Sequence, residues 1–228
     1  METREKLLEL LNTKSLLKQE IYASTKTYFK ELKKNIQQEV EVLQPSISDP
    51  RIRMSFEDKG EYEAMMFVGS DVLVYHMHNN VFCLPPDHLF WKTAYLKKDE
   101  SLGYFGVFHV YNFLAQSYLL NRKEDIGFLL ARIFINRKGH FFIEGVDPLS
   151  SKYAKLGKNV VSSTLFNEIS LSLSISAVEF DLYVPAYNSI GQINISQLEE
   201  LSSNLGVQKV KRLGFKPDQT IDGVYEGI

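Results

Sequence analysis

The sequence predicts an α+β fold, in which a mostly antiparallel sheet has helices packed on one face and a long N-terminal helix precedes it. Three observations lead to this fold class. The first 44 residues contain neither Gly nor Pro, and their apolar residues recur at helical spacings. Short apolar runs separated by turn residues then predict strands joined as hairpins. A later segment, residues 162–181, again lacks Gly and Pro and favours a helix.

The N-terminal helix is predicted over residues 2–43. Its other face carries Lys, Glu and Gln, so it is either an amphipathic helix that packs on the core or an arm used for dimerisation. Asn12 and Thr13 are a possible break into two helices. Glu31 and Asn35 fall near seam positions, which argues against a long coiled coil. The apolar positions that define the helix are Leu7, Leu11, Leu17, Ile21, Tyr28, Leu32, Ile36, Val40 and Leu43.

A linker at 45–50 separates this helix from the first predicted strands. A meander follows, with turns at 58–60, at 69–71 and at Asn79-Asn80. The strands are predicted at 52–56, 63–68, 72–78 and 81–84. A short helix over 88–91 is predicted to follow, with Asp87 as its N-cap, and residues 93–103 are predicted to be a solvated loop.

The second half of the chain is predicted to contain one hairpin and three helices. Strands are expected at 104–110, 126–135 and 140–144, a helix at 111–121 and a loop at 146–160. Residues 162–181 fit either a strand or a helix, and their length together with Ser162 or Ser163 as N-cap favours a helix. A capping box from Ser196 to Glu199 predicts a last helix that ends near Gly206.

Three units are therefore predicted along the chain: a helical arm at 1–44, an α+β core domain at 51–206 and a tail at 207–228. Hairpins outnumber strand–helix–strand crossovers, which favours an antiparallel sheet. This layout resembles that of small sensor-like folds, such as the PAS, GAF and profilin-like groups. The resemblance lies in the layout and implies no particular function.

The composition limits the classes of function. The net charge of −2 and the pI near 6.2 argue against a nucleic-acid-binding protein, which usually has a basic face. A single cysteine, Cys83, can form neither an internal disulfide nor a thiolate zinc site. The N-terminus lacks the apolar core of a signal peptide and no stretch is long enough to span a membrane. We therefore expect a cytoplasmic protein with no membrane contact.

The only His-x-His pair, His76 and His78, is the first candidate site. Alternate residues of a strand share one face, and two imidazoles on one face are suited to binding zinc or iron. His109, His140 or Glu144 would have to complete such a site. The pair resembles the cupin pattern, but Asn79-Asn80-Val81-Phe82-Cys83 follows where that family places a Glu. We therefore predict a small cleft at the end of the sheet with no bound metal and no cofactor.

Arg132 is the second candidate, because a guanidinium within an apolar strand requires a partner. Simple alternation places it on the same face as Phe128, Leu130 and Phe134. Glu144 and Glu63 are its possible partners, and together they form either a charge pair across the sheet or the floor of a ligand pocket. The predicted ligand-binding residues are His76, His78, Arg132 and Glu144.

The sequence shows no established catalytic motif. Asp71 and Glu144 are available as carboxylates for a nuclease-type site, but no Glu-x-Lys follows on a strand. The leading hypothesis is a non-catalytic module that binds an unidentified small ligand or a protein partner, with a possible homodimer formed through residues 2–43. The alternative is a metal-dependent enzyme that uses His76 and His78, as a hydrolase, a nuclease or a cupin-like protein. The predicted core residues are Phe67, Val74, Phe128, Leu130 and Ile133.

Overall fold

The computed structural model describes residues 2–123, 125–181 and 195–196. Within them the predicted fold class is confirmed, since a long N-terminal helix precedes a seven-stranded antiparallel sheet that packs against helices. The helix predicted to end near Gly206 lies outside these residues from position 197 onward, as does the tail of 207–228. No helix among the described residues has the length and apolar character needed to cross a membrane.

The sheet is a series of antiparallel pairs in the order β1-β2-β3-β5-β6-β7, with β4 paired to β5. Gly69 (φ 59°) and Gly139 (φ 73°) lie in the β2–β3 and β6–β7 turns, where a positive φ favours glycine. The strands are β1 Met54–Asp58, β2 Glu63–Val68, β3 Asp71–Met77, β4 Phe82–Cys83, β5 Tyr104–Leu114, β6 Phe128–Asn136 and β7 Phe141–Gly145.

The N-terminal helix extends over the predicted residues 2–43. It consists of α1 Glu2–Leu10, a π-helical turn Leu11–Ser15 and α2 Leu16–Leu43. The π turn contains Asn12 and Thr13, where the sequence suggests a break. No residue of α1 is buried, whereas α2 buries a continuous stripe formed by Ile21, Thr25, Phe29, Leu32, Asn35, Ile36 and Val40.

Helices α2 and α6 (Ser163–Val178) pack against each other and against the same face of the sheet, here called the helix face. The predicted helix at 162–181 is thus confirmed, and Ser162 caps it by accepting a hydrogen bond of 3.2 Å from the Leu165 N–H. The main core lies between these helices and the sheet. Its largest fully buried side chains include Phe29, Tyr75, Phe108, Phe141 and Phe166.

The opposite face, here called the open face, carries two smaller apolar clusters. The first contains Phe105, Val107 and Phe142 and is covered by residues 84–102, which form a 3₁₀ turn Leu89–Lys92, α3 Ala94–Lys98 and a 3₁₀ turn Glu100–Gly103. The second contains Val72 and Val74, with Ala115 of α4 Ala115–Leu119 above them. We call them the β4-side cluster and the α4-side cluster.

Several local predictions are wrong. Strand β5 continues to Leu114 where a helix was expected from 111, because Asp71↔Leu114 and Val72↔Phe113 pairing with β3 fixes the extended backbone. Residues 93–103 form two helical turns instead of a loop, and α5 Leu149–Lys152 lies in the predicted loop at 146–160. The N-cap of the turn after residue 87 is His88, whose side chain accepts from the Phe90 N–H, and not Asp87.

The predicted core residues are confirmed with one exception. Phe67, Val74, Leu130 and Ile133 are at most 8% exposed, whereas Phe128, the first residue of β6, is 40% exposed. A bulge in the β5–β6 pair skips one position, since Val110 pairs with Ala131 and Tyr111 with Leu129. The alternation is therefore broken, and Leu130 packs in the helix-face core rather than beside Arg132.

Candidate functional site

A line of polar residues crosses the open face between the two apolar clusters. Its five members are cross-strand partners on five consecutive strands of the sheet. Since partners in register share a face and strands lie about 4.8 Å apart, the line spans roughly 19 Å. We call it the polar row, and it consists of Glu63, His76, His109, Arg132 and Glu144.

His78 joins the polar row from the end of β3, where its N–H donates to the Val107 carbonyl at 2.9 Å. Its ring centroid lies 6.4 Å from that of His76 and 6.1 Å from that of His109. The rings of His76 and His109 are 6.5 Å apart and nearly parallel. Three imidazoles thus form a triangle on one face of two neighbouring strands.

The tautomer of His78 follows from one backbone contact. The N–H of Asn80 donates to the His78 Nδ1 at 3.0 Å. Because a backbone amide can only donate, Nδ1 is the acceptor and the proton of the neutral ring resides on Nε2. His78 therefore offers an N–H donor to the site rather than a lone pair.

His109 is the most perturbed member of the row. Burial, followed by the charges of His78, His76 and Arg132, lowers the pKa of the His109 imidazole from 6.5 to about 4. The ring is therefore neutral at pH 7. Of these three neighbours Arg132 is a permanent cation, and its guanidinium favours an anion placed beside His109.

Arg132 and Glu144 form an ion pair at the β7 end of the row, which fulfils the sequence-based expectation of a partner for Arg132. Both side chains are more than 40% exposed, so this pair is not buried and is of limited value to stability. The guanidinium carbon lies 5.4 Å from the centroid of the Phe134 ring. The cation is thus held between a carboxylate and an aromatic ring.

The other end of the row lies near α4. Burial and then the charge of the Glu63 carboxylate raise the pKa of the Tyr118 hydroxyl. Tyr118 packs edge-on against Phe113, at 5.5 Å between ring centroids. The α4-side cluster therefore borders the row with aromatic side chains.

Aromatic rings also adjoin the centre of the row. The Phe82 ring lies 4.7 Å from the His78 ring, edge to face, and the Tyr111 ring lies 5.9 Å from the His109 ring. Together with Phe134 they place apolar surface next to each polar donor. Such a mixture of a few polar groups and apolar walls is typical of small-molecule sites.

The structure brings together all four residues predicted to bind a ligand, His76, His78, Arg132 and Glu144, and adds His109 and Glu63. They lie across the middle of the open face and not at the end of the sheet. His140 is elsewhere, since its Nδ1 is 2.9 Å from the Tyr95 hydroxyl near the β6–β7 turn. Sequence reasoning placed Phe134 on the face of Arg132 but missed Phe82 and Tyr111, whose contacts with the histidines depend on strand order.

The geometry is unsuited to a metal ion as it stands. Within the described part of the chain, no three or more His, Cys, Asp and Glu side chains form a group that could hold one. The cation Arg132 directly opposes His109, and the Nδ1 lone pair of His78 is already used. Rotation of the rings would be needed before His76, His78 and His109 could share a metal.

A separate cavity of about 460 Å³ lies where the π turn meets the segment that covers the β4-side cluster. Thr13, Lys14 and Leu17 line one side, and Trp91, Tyr104 and Arg137 are among the residues that line the other. Arg137 is held by Asp99 at 2.8 Å. Charged residues of both signs line this cavity, so its charge does not favour one class of ligand.

Comparison with protein-family models, with curated proteins and with solved structures found no match for this chain.

Proposed function

We propose that this protein is a non-catalytic binding module whose small ligand lies on the polar row. The observation that carries the proposal is the row itself, in which partners on five strands place ionisable side chains across an otherwise apolar sheet face. Polar groups on such a face cost stability unless they are paired or hydrated. The covering segments bury apolar residues on both sides and leave the row accessible to a ligand.

Binding is favoured over catalysis by the state of the central groups. A general base works best when its pKa lies near the working pH, whereas the pKa of His109 is lowered to about 4. Arg132 is already engaged by Glu144. These groups are suited to recognising a ligand by hydrogen bonds and charge.

A metal-dependent enzyme that uses His76 and His78 is the second candidate. One observation favours it, namely that the rings of His76, His78 and His109 lie within 6.5 Å of one another. The adjacent guanidinium of Arg132 opposes it, because a cation repels a metal ion.

The five histidines provide the test, because three lie at the row and two, His88 and His140, do not. A set of small organic fragments, and separately Zn²⁺, is added to untagged protein while the imidazole C–H signals are followed by NMR. We expect some fragments to shift the signals of His76, His78 and His109 and to leave His88 and His140 unchanged. Stoichiometric zinc at the three histidines would favour the enzyme, and fragments that move none of the three would contradict the proposal.

We further propose a cytoplasmic homodimer formed through residues 2–43, with a protein partner as the alternative occupant of that surface. The support is the exposure of apolar residues along the first part of the helix, where Leu7, Leu8, Leu10, Leu11 and Leu16 are 45–58% exposed. Cys83 is a free and exposed thiol, which suits a reducing compartment.

A further inference from the structure

If the polar row binds a small ligand, as the proposed function states, its chemistry restricts the class of that ligand. The donors at its centre are the Nε2–H of His78, assigned from the Asn80 contact, and the guanidinium of Arg132. An arginine carries five N–H donors, and one carboxylate can occupy only two of them in a bidentate pair. Glu144 therefore leaves donors of Arg132 for a ligand.

The charges around His109 set the charge of the ligand. Its cross-strand partner Arg132 is a cation, so a negative group placed between Arg132 and the His78 ring is stabilised. Glu63 and Glu144 lie two strands away on either side, which is roughly 10 Å. Their carboxylates repel negative charge, so a ligand with one negative charge is favoured over a dianion.

The aromatic rings beside the row indicate the shape of the uncharged part of the ligand. Phe82 lies beside His78 and Phe134 beside Arg132, so each donor has an aromatic ring next to it. Both rings are on the β4 side of the row. A planar apolar group that extends from the anion toward that side would contact both rings. Aromatic pairs favour offset-stacked or edge-to-face contacts of this kind.

We propose that the polar row binds a small aromatic monocarboxylate, with its carboxylate over His109 between Arg132 and the Nε2–H of His78, and its ring against Phe82 and Phe134. Arginine suits this role because its planar fork matches the two carboxylate oxygens. No covalent step is involved. The site recognises the anion by hydrogen bonds and the ring by contact.

Binding depends on pH through His109. The carboxylate raises the pKa of this imidazole from about 4, so affinity increases as the pH falls from 7 toward 5. Between the pKa of the bound state and that of the free protein, the affinity gains about tenfold for each unit by which the pH falls. The ionisable groups on the same sheet face around His109 are Glu63, His76, His78, Tyr111, Arg132 and Glu144, and the charge of Glu63 also acts on Tyr118 of α4.

The test compares phenylacetate with phenylacetamide, its neutral analogue of the same shape. Each is titrated into the full chain at pH 7 and pH 5 while the signals of the five histidines are followed. We expect phenylacetate to shift His76, His78 and His109, to bind more tightly at pH 5, and to bind at least about tenfold more tightly than the amide, because hydrogen bonds to charged groups carry that difference.

Two variants and a control distinguish recognition from misfolding. Arg132→Gln should weaken phenylacetate binding by about 10- to 100-fold. Glu144→Gln should strengthen it, because a competing carboxylate is removed. Arg51→Gln is the matched control, since Arg51 is exposed and pairs with the nearby Asp49 away from the row, and it should leave the affinity unchanged.

Three other outcomes would each contradict a different part of the proposal. Equal affinity for the acid and the amide would overturn the carboxylate and leave a binding site for neutral ligands. Tighter binding of phenyl phosphate than of phenylacetate would overturn the single charge. Failure of every probe, including the fragments, to move the three histidine signals would overturn the proposed function as well.

Discussion

His109 shows how neighbours change the chemistry of one residue. It occupies the centre of the polar row, directly between His76 on β3 and Arg132 on β6. Burial, followed by electrostatic interactions with His78, His76 and Arg132, lowers the pKa of its imidazole to about 4. The folded protein therefore holds in neutral form a ring that is protonated below about pH 6.5 in an unfolded chain.

This difference predicts a pH dependence of folding. Between pH 6.5 and pH 4 the unfolded chain binds a proton at His109 that the folded chain does not, so the free energy of unfolding falls as the pH falls through this range. In His109→Gln this contribution is lost. We expect urea denaturation to show a smaller loss of stability between pH 7 and pH 4 in the variant than in the unmodified protein.

His88→Gln is the control for this measurement. His88 lies outside the polar row, where its Nδ1 accepts from the Phe90 N–H at 3.2 Å. Its replacement measures how far the loss of a histidine outside the row changes the curve, and the curve of His109→Gln is compared with it. Parallel curves for His109→Gln and the unmodified protein would show that His109 titrates alike in the folded and unfolded states.

At the scale of single elements, contact between α2 and β5 depends on one glycine. A Cβ added at Gly106 would lie 1.9 Å from the Oγ1 of Thr25 and 2.7 Å from its Cβ. Thr25 is itself buried and donates to the Ile21 carbonyl at 2.6 Å. The helix therefore approaches the strand more closely than a side chain at position 106 permits.

Gly106→Ala should destabilise the protein by about 1–3 kcal/mol, because overpacking pushes α2 away from the sheet. The φ angle at Gly106 is not positive, so backbone strain does not contribute. Combined with Thr25→Ala, which removes the two closest atoms, the cost should be smaller than the sum of the single effects. Chemical denaturation of the four proteins measures this coupling, and strict additivity would show that the two residues do not touch.

Local patterns explain why some elements were predictable and others were not. The helix α6 follows from its length and from Ser162 as a cap, although Leu171, Leu173 and Ile175 alternate with serines as in a strand. In the structure Ser174 donates to the Ser170 carbonyl at 2.8 Å, so a small buried serine fits a helix that packs closely on the sheet. The last residues of β5 have a helical pattern, but pairing with β3 overrides it.

At the scale of the whole molecule, the candidate site depends on register. That His76 and His78 share a face follows from the two-residue period of a strand, and the Arg132–Glu144 pair follows from the predicted hairpin. The position of His109 opposite His76 could not be predicted, because β5 pairs with β3 across a connection that contains β4 and three helical turns. Long-range pairing of this kind leaves no local signal in the sequence.

The first part of the long N-terminal helix exposes apolar side chains that a second chain could bury. No residue of α1 is buried. Leu8 of α1 is 58% exposed, and Leu11 of the π turn that follows is 49% exposed. Burying a leucine side chain contributes about 1.5–3 kcal/mol. A second copy of the chain, aligned along this helix, would bury several such side chains at once.

We therefore expect the protein to scatter light with about twice the chain mass of 26.2 kDa at micromolar concentration. Replacing Leu8 and Leu11 by Lys should return the mass to 26.2 kDa, because charges cannot be buried in an apolar interface. The folding of each chain should be unaffected, since surface substitutions usually change stability by less than about 0.5 kcal/mol. Leu89→Lys with Ile175→Lys is the matched control on other exposed surfaces, 71% and 57% exposed, and should remain dimeric. A mass of one chain for the unmodified protein at every concentration would exclude the dimer and leave the helix for a different partner.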